Sequence, residues 1–545
     1  MGQSHTETEH TYQGPGEVSL PELRGLPGVT EVRQAATEEL DALYYDTTDL
    51  RLLGLGVTLR RRTGGHDAGW HLKVPSTGGD PASRQEYRVP LGTGDDDGLP
   101  AELARRVRAR SRGADLVPVA HLHTRRTRRL LLDDTGRTLA EVAHDHVSAQ
   151  IPGLERIRAA GTHPETESEQ AGDDGGQGNS AHLMAWSEVE AELVHGEASL
   201  LEAVDHRMAD AGLTVRPGAS KLRQAMESGG RAPQPQTAAP PGSAGEAVLT
   251  RLREQRAVLL DADAAVRADE ADSVHRMRVA ARRLRAALTS YRRLHEAGAT
   301  RRLTSELKWL GQVLGEARDH EVLAARLHAD ARELATEPAT AAVTRTLAGR
   351  VAAQETAAYR EAWHRVVQVL DSERYFALLD LLDAHLAAPP FGPRARREAA
   401  GELRKAVVRE HRRLTRRVER ARTAPVGPPR DRALHEARKA AKRLRYAAET
   451  ARPAAGRPAA RLAKRGKRLQ QVLGAHQDAV VAQGELPLLA DRAEAAGRPT
   501  YGYGLLHARA QEAARGAEER WPKAWRKLRK TERRAVTRFT RGGKG

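Results

Sequence analysis

The strongest chemical signal in the chain is a recurring set of histidine, arginine and lysine side chains. The segment VHRMRVAARRLRAAL (274–288) returns as LHEARKAAKRLRYAA (434–448), 160 residues later. His275, Arg278, Arg282, Arg283 and Arg285 thereby fall opposite His435, Arg438, Lys442, Arg443 and Arg445. A second echo sets LKWLGQVLGEARDHEVL (307–323) against GKRLQQVLGAHQDAVVA (466–482), pairing Lys308 with Lys467 and Asp319 with Asp478. Two matched blocks in the same order at nearly the same offset mark an internal repeat. At about 100° per residue, His275, Arg278, Arg282 and Arg285 lie within roughly 80° on one helix, a stripe about 15 Å long. Like charges so close repel one another, and 274–288 contains no acidic residue to relieve them. Guanidinium forks, ammonium groups and imidazole all donate to phosphate oxygens, so a linear polyphosphate is a counterion that could follow both stripes. The competing reading makes each histidine a helix-packing residue, with Asp319 and Asp478 capping a helix or orienting an arginine.

A second constellation is acidic. Glu7 and Glu9 alternate in ETE, and Glu188, Glu190 and Glu192 alternate in EVEAE, so each row points to one side of a strand. Two such rows facing one cavity would hold a hard divalent cation through oxygen ligands and leave positions for phosphate. Arg60 and Arg62 on TLRRR, Lys73 on WHLK, and Arg125, Arg126 and Arg128 on HTRRTRR could form the facing wall. A closed sheet built this way would clamp a triphosphate with its metals. Taken singly, alternating charge more often marks a solvated strand face.

The elements that must carry these groups differ between the two halves. VTLRRR (57–62), WHLKVP (70–75), RQEYRVPL (84–91), TLAEVAHDHV (138–147) and WSEVEAELV (186–194) read as strands, many bounded by Gly or Pro. Beyond residue 245 the texture changes to long Ala, Leu, Arg and Glu stretches with helical periodicity. The first half therefore predicts antiparallel sheet with minor helix, and the second an all-helical domain. Residues 152–182 are polar and Gly-rich, which predicts a disordered insertion, and 229–245 form a Pro, Ala and Gly linker. Charge is partitioned along the same line. Residues 1–240 carry 26 Lys and Arg against 36 Asp and Glu, whereas 241–545 carry 63 against 36. A polyanion partner is thus expected for the second half alone. Aromatics are 3% of the chain, which leaves few base-stacking platforms and disfavours a nucleic-acid partner. With no cysteine there is neither disulfide nor thiolate metal site. No secretory signal is visible and no apolar run approaches the roughly 20 residues of a membrane span. A cytoplasmic protein is the expectation.

The pattern H-x-x-R-x-x-x-R-R-x-R, followed by K-x-L-x-x-x-L-G and an Asp, resembles the CHAD domain, the conserved-histidine α-helical domain, over about 246–535. That resemblance implies a helical bundle of two repeats, about 246–395 and 400–535, with a polyphosphate-binding surface. Its binding residues would be His275, Arg278, Arg282, Arg285, Lys308, His435, Arg438, Lys442, Arg445 and Lys467, with Arg283, Lys439, Arg443, Lys464 and Arg318 beside them. Gln477 stands where the first repeat has Arg318. In the first half, ETEHTY (7–12), LYYDTTDLRLLGLGVTLRRR (43–62), AEVAHDHV (140–147), WSEVEAEL (186–193) and GASKL (218–222) resemble the CYTH domain, the triphosphate tunnel metalloenzyme fold, over about 5–226. This implies an eight-stranded antiparallel barrel that binds triphosphate or a nucleoside triphosphate with Mg2+ or Mn2+ and often hydrolyses it. Glu7, Glu9, Glu190 and Glu192 would be metal ligands, with Glu188 and Asp145 nearby, and Arg60, Arg62, Lys73, Arg126 and Lys221 would contact phosphate, Arg125 lying next to them. The family signature is E-x-E-x-K, and here its last position is Thr11. Two readings stay open: a polyphosphate-binding triphosphatase, or a non-catalytic protein targeted to polyphosphate granules, with adenylate cyclase a weaker third.

Overall fold

The computed structural model describes residues 3–14, 18–76, 83–92, 98–152, 182–216, 220–232, 239–336 and 341–541. The chain divides into two compact units, Met1–Pro235 and Gln236–Gly545. The expected disordered insertion, 153–181 of it, and the middle of the expected linker, 233–238, lie outside the described residues.

Alternation of charged and apolar residues becomes a closed sheet in the first unit. Its strands are β1 (Gln3–Gln13), β2 (Glu31–Gln34), β3 (Glu38–Asp46), β4 (Thr58–Thr63), β5 (Gly69–Pro75), β6 (Ser83–Pro90), β7 (Val117–Leu132), β8 (Thr138–Ile151), β9 (His182–Leu193) and β10 (Thr214–Val215). Eight run antiparallel in the order β1-β6-β5-β4-β3-β7-β8-β9, and β9 pairs back onto β1 to close the barrel. The short β2 adds to β7, and β10 adds to β1.

This barrel carries much of its apolar core on the outside. Leu59, Trp70, Leu72 and Val74 pack with Leu103 and Val107 of helix α2 (Ala101–Ser111) and with Leu52 of the short α1 (Arg51–Gly54). Tyr12, Val142, Val189 and Ala191 pack with Leu200, Leu201, Val204 and Met208 of α3 (Ala198–Asp210). Helix α4 (Lys221–Ser228) sets Leu222, Ala225 and Met226 against Ala42, Leu122 and Ala149. Burial of these outer faces, at about 25 cal/mol per Å² of apolar surface, lets the wall tolerate a charged interior. Because the period of a strand is two, each outward apolar residue forces its neighbour inward.

The second unit consists of α5 (Ala244–Arg267), α6 (Ser273–Ser290), α7 (Arg301–Leu334), α8 (Ala341–Leu370), α9 (Glu373–Ala387), α10 (Ala399–Thr423), α11 (Pro428–Thr450), α12 (Arg452–Ala495) and α13 (Tyr501–Arg541). Ser243 caps α5 by accepting from the Glu246 N–H at 3.2 Å, while Glu246 accepts from the Gly242 N–H at 2.6 Å. Helices α5 to α8 pack consecutively, as do α10 to α13. Equivalent helices of the two repeats also meet: α5 packs on α10, α6 on α11 and α8 on α13. Repeat and two-fold packing thus coincide, and the two basic helices face each other at the centre. Among the described residues no helix is long and apolar enough to cross a membrane.

Candidate functional site

The barrel interior is a tunnel of opposed charges. Strand register places Glu9 beside Glu192, Thr11 beside Glu190, Asp145 beside both Glu188 and Arg126, and Lys73 beside Glu86. Lys73 lies 2.6 Å from Glu7 and 3.2 Å from Glu9. Arg126 donates to Asp145 at 2.8 and 2.6 Å and to Glu190 at 2.6 Å. From the start of α4, Lys221 reaches Asp145 at 2.9 Å, Glu188 at 2.7 Å and Glu190 at 2.5 Å. Arg60 donates to the Tyr44 hydroxyl at 3.2 Å, and Arg62 pairs with Asp67.

Electrostatics divide the carboxylates into two groups. Burial disfavours charge on Glu190 and Asp145, yet Lys221 and Arg126 hold both below the usual carboxylate range. Burial and then the Glu7 carboxylate, reinforced by Glu9 and Glu190, push Glu192 up to about 8. Burial also raises Glu7 and Glu188. Lys73 is held above its ordinary value by Glu9 and Glu7, against the desolvation that opposes its charge. Burial, aided by Arg60 and Arg126, brings Arg62 down to about 10. A wall whose acids must be protonated or bridged by lysine and arginine has the charge and the hard donors to hold a cation. Asp145, Glu188 and Glu190 each offer an oxygen, all within 4.8 Å of one another, so these acids could hold a metal.

Of the expected tunnel residues, Glu7, Glu9, Glu188, Glu190, Glu192, Asp145, Arg60, Arg62, Lys73, Arg126 and Lys221 come together. Arg125 does not. It alternates outward, its side chain 67% exposed and 3.9 Å from Glu39, because Arg126 takes the inward position. Among the described residues, the charged tunnel side chains that escaped the sequence reading include three on β6. Glu86 is fully buried and pairs with His71 at 3.0 Å, Arg88 lies 3.1 Å from Glu7, and Arg84 lies 3.8 Å from Glu9. The alternation R-x-E-x-R at 84–88 was their visible signal.

In the helical unit the two stripes merge into one seam. Arg278 donates to Asp319 at 3.0 Å, and Arg438 sits 3.6 Å from Asp478. Each guanidinium lies over a bare helical backbone, since a Cβ at Gly315 would stand 3.4 Å from Arg278 and one at Gly474 would stand 3.5 Å from Arg438. Both aspartates therefore orient the motif arginines. Arg282 donates to the Tyr446 hydroxyl at 3.0 Å across the repeat boundary. Arg443 donates to Glu410 at 2.7 Å, Arg445 donates to Glu449 at 2.6 Å, and Arg283 lies 3.6 Å from Glu449. His435 shares a 2.6 Å hydrogen bond with Gln477, and Lys439 pairs with Glu436. Among the described residues Arg282, Arg285 and Lys442 make no ion pair. Burial, compounded by Arg438, Arg282 and Arg278, pushes Lys442 down to about 6. Burial and nearby arginines likewise lower His275, while burial comes first in lowering His435. Lys308, Lys464 and Lys467 stand exposed on α7 and α12.

A barrel with a metal-competent charged tunnel and a two-repeat basic bundle define the class. The CYTH domain matches residues 17–184 and the CHAD domain matches residues 250–487. The chain belongs to the family that joins a CYTH domain to a CHAD domain; CYTH domains are metal-dependent and bind triphosphates. Among its relatives is the uncharacterized protein Rv2226 of Mycobacterium tuberculosis, 35% identical over 97% of this chain and 98% of its own. PptA from Streptomyces chartreusis is 23% identical, covering 52% of this chain and 99% of its own with a TM-score of 0.43. The CHAD domain of Ricinus communis is 26% identical, covering 55% of this chain and 96% of its own with a TM-score of 0.42. The Hippeastrum protein HpAC1, described with a dominant triphosphatase activity, is 16% identical, covering 41% of this chain and 96% of its own with a TM-score of 0.23.

Proposed function

We propose that the helical unit binds inorganic polyphosphate along the α6–α11 seam, while the barrel holds a triphosphate or a polyphosphate end and hydrolyses it. The observation that carries the first part is geometric: Arg282, Arg285 and the half-buried Lys442 gather in the seam with no carboxylate partner among the described residues, and burial first, then Arg438, Arg282 and Arg278, brings that lysine down to about 6. Such a seam is destabilised by its own charge and relieved by a polyanion. In the barrel, Glu7, Glu9, Asp145, Glu188, Glu190 and Glu192 would hold Mg2+ or Mn2+, which would polarise the phosphoryl oxygens and acidify a bound water. Arg60, Arg62, Lys73 and Arg126 would orient the phosphates and stabilise charge developing on the leaving group. Lys221 would give up its carboxylate contacts to phosphate once a cation neutralises them. Such a protein would act in the cytoplasm, at polyphosphate granules.

The test is a titration of the full chain with polyphosphates of graded length, followed by phosphate release in Mg2+ or Mn2+. Tight, salt-sensitive binding that strengthens with length is expected, and duplex DNA or RNA should not displace the polymer at equal phosphate concentration. Displacement by nucleic acid would overturn the partner assignment.

A second reading, a barrel that binds without turnover, is favoured by Thr11. Its side chain is buried opposite Glu190, where the family signature carries lysine. His10 cannot substitute, because it faces away and shares a 2.7 Å hydrogen bond with Asp205. A missing charge-assisted phosphate contact is worth about 2–3 kcal/mol. Thr11→Lys should therefore raise phosphate release roughly 30- to 150-fold if that contact acts in the transition state. Phosphate release by the unaltered protein that Thr11→Lys leaves unchanged would remove the second reading.

A further inference from the structure

The second helical repeat contains a buried imidazole with a ring nitrogen that has no hydrogen-bonding partner among the described residues. His476 on α12 is 1% exposed, and among the described residues its Nε2 makes no hydrogen bond. Two carboxylates straddle that nitrogen: Asp431 Oδ1 on α11 at 3.3 Å and Glu518 Oε1 on α13 at 3.5 Å. One ligand atom from each residue lies within 4.8 Å of the other two. Three separate helices thus aim one nitrogen and two oxygens at a common point, far in sequence from the tunnel acids.

We propose that Asp431, His476 and Glu518 form a divalent transition-metal site that staples α11, α12 and α13 together. The spacing suits an ion better than a proton. Two ligands each about 2.0–2.1 Å from a tetrahedral ion stand roughly 3.4 Å apart, which is the spacing found on both sides of Nε2. A single imidazole proton can satisfy one of the two oxygens, and the geometry satisfies neither. With a neutral imidazole the set carries two negative charges, matched by a divalent cation. Arg430 approaches Glu518 at 3.6 Å but spends two of its nitrogens on the Ala424 carbonyl, at 3.1 and 2.9 Å. A mixed nitrogen and oxygen set selects zinc-like ions over Mg2+ and Ca2+, which prefer oxygen alone, and a water would complete four-coordination.

The two repeats support the assignment by their difference. Position 476 corresponds to Ala317 in the first repeat, so the histidine has no counterpart there. In that repeat Arg318 bridges the start of α6 to α7 by pairing with Asp272 at 3.2 Å. The second repeat has Gln477 in place of Arg318, and the metal would do the corresponding work. It would anchor the first turn of α11, one turn before His435, and so hold the second stripe in register.

Cobalt tests this without reference to catalysis, because four-coordinate Co2+ absorbs visibly. Full-length protein carrying Glu188→Gln and Glu190→Gln, to silence the tunnel, should take up one Co2+ with a tetrahedral-type band. Zn2+ should abolish the band, and a thousandfold excess of Mg2+ should not. Adding His476→Ala, a residue the first repeat already accommodates, should eliminate it, as should the near-isosteric Glu518→Gln. A tunnel-silenced protein without the band, or a band that survives both substitutions, would leave only a buried imidazole between two acids. Polyphosphate binding is not needed for any of these readings, so the outcome is separable from the proposed function.

Discussion

Arg282→Ala, Arg285→Ala and Lys442→Ala combined should weaken polyphosphate binding roughly 100- to 1000-fold at ~0.1 M salt. A hydrogen bond to a charged group contributes about 1.5–3 kcal/mol, and three neighbours acting on one polymer sum incompletely, to about 3–4 kcal/mol. The slope of log affinity against log salt should fall by about 2, since each neutralised phosphate contributes roughly 0.7 for a single-stranded polyanion. An unchanged slope would show that the polymer runs elsewhere. Proton linkage supplies an independent check. Lys442 sits at about 6 in the free protein, and a bound polyanion favours its charged form, so binding at pH 7–8 should take up protons. Affinity should then decline as pH rises above 6, and Lys442→Met should remove that uptake. Stability should respond in the opposite direction. Because folding lowers this lysine from 10.5 to about 6, the unfolded chain binds more protons between those values. The lysine's contribution thus grows more favourable as pH rises through that window, and Lys442→Met should stabilise the free protein at neutral pH. A thermal midpoint that falls instead would make Lys442 a structural residue.

Helical spacing made this seam legible, but only one helix at a time. Periodicity put His275, Arg278, Arg282 and Arg285 on one stripe, and the repeat supplied its twin. It could not say that the stripes would meet, because the α6–α11 contact joins segments 160 residues apart. Nor could it separate Arg443 and Arg445, which pair with Glu410 and Glu449, from Arg285, which pairs with none among the described residues. The barrel shows the same boundary. Alternation assigns a residue to a face but leaves open which face is inside. In R-R-T-R-R at 125–129, one register sends Arg126 and Arg128 inward and turns Arg125 to solvent. Glu86 and Arg88 were missed for a related reason: on a strand read alone they resemble a solvated edge. In the sheet β6 lies between β1 and β5, and closure through the β1–β9 pairing turns its charged face into an inner wall. His476 gave no sequence signal, since its two acids lie on other helices, at 431 and 518.

In the barrel the largest expected effect belongs to Glu190. Its carboxylate is shared by Lys221 and Arg126, it stands beside Asp145 and Glu188, and it contributes to the field that raises Glu192. Glu190→Gln keeps the volume and deletes the charge, so Mn2+ affinity should drop roughly 100-fold or more. Any metal-dependent phosphate release should fall with it. The same geometry predicts a pH signature. Glu192, at about 8, is mostly protonated at pH 7, and a divalent cation must displace that proton. Metal binding at pH 7 should release close to one proton, and affinity should rise with pH up to about 8, by at most tenfold per unit. In Glu190→Gln one of the repelling carboxylates is gone, so Glu192 should titrate lower and proton release should shrink. Arg125→Ala is the internal control, since its guanidinium lies outside the barrel and should alter neither quantity. Isothermal titration in two buffers of different ionisation enthalpy measures both at once. If Glu190→Gln bound Mn2+ with unchanged affinity and unchanged proton release, the acids of β1 and β9 would be a charge network that the tunnel's own lysines and arginines neutralise.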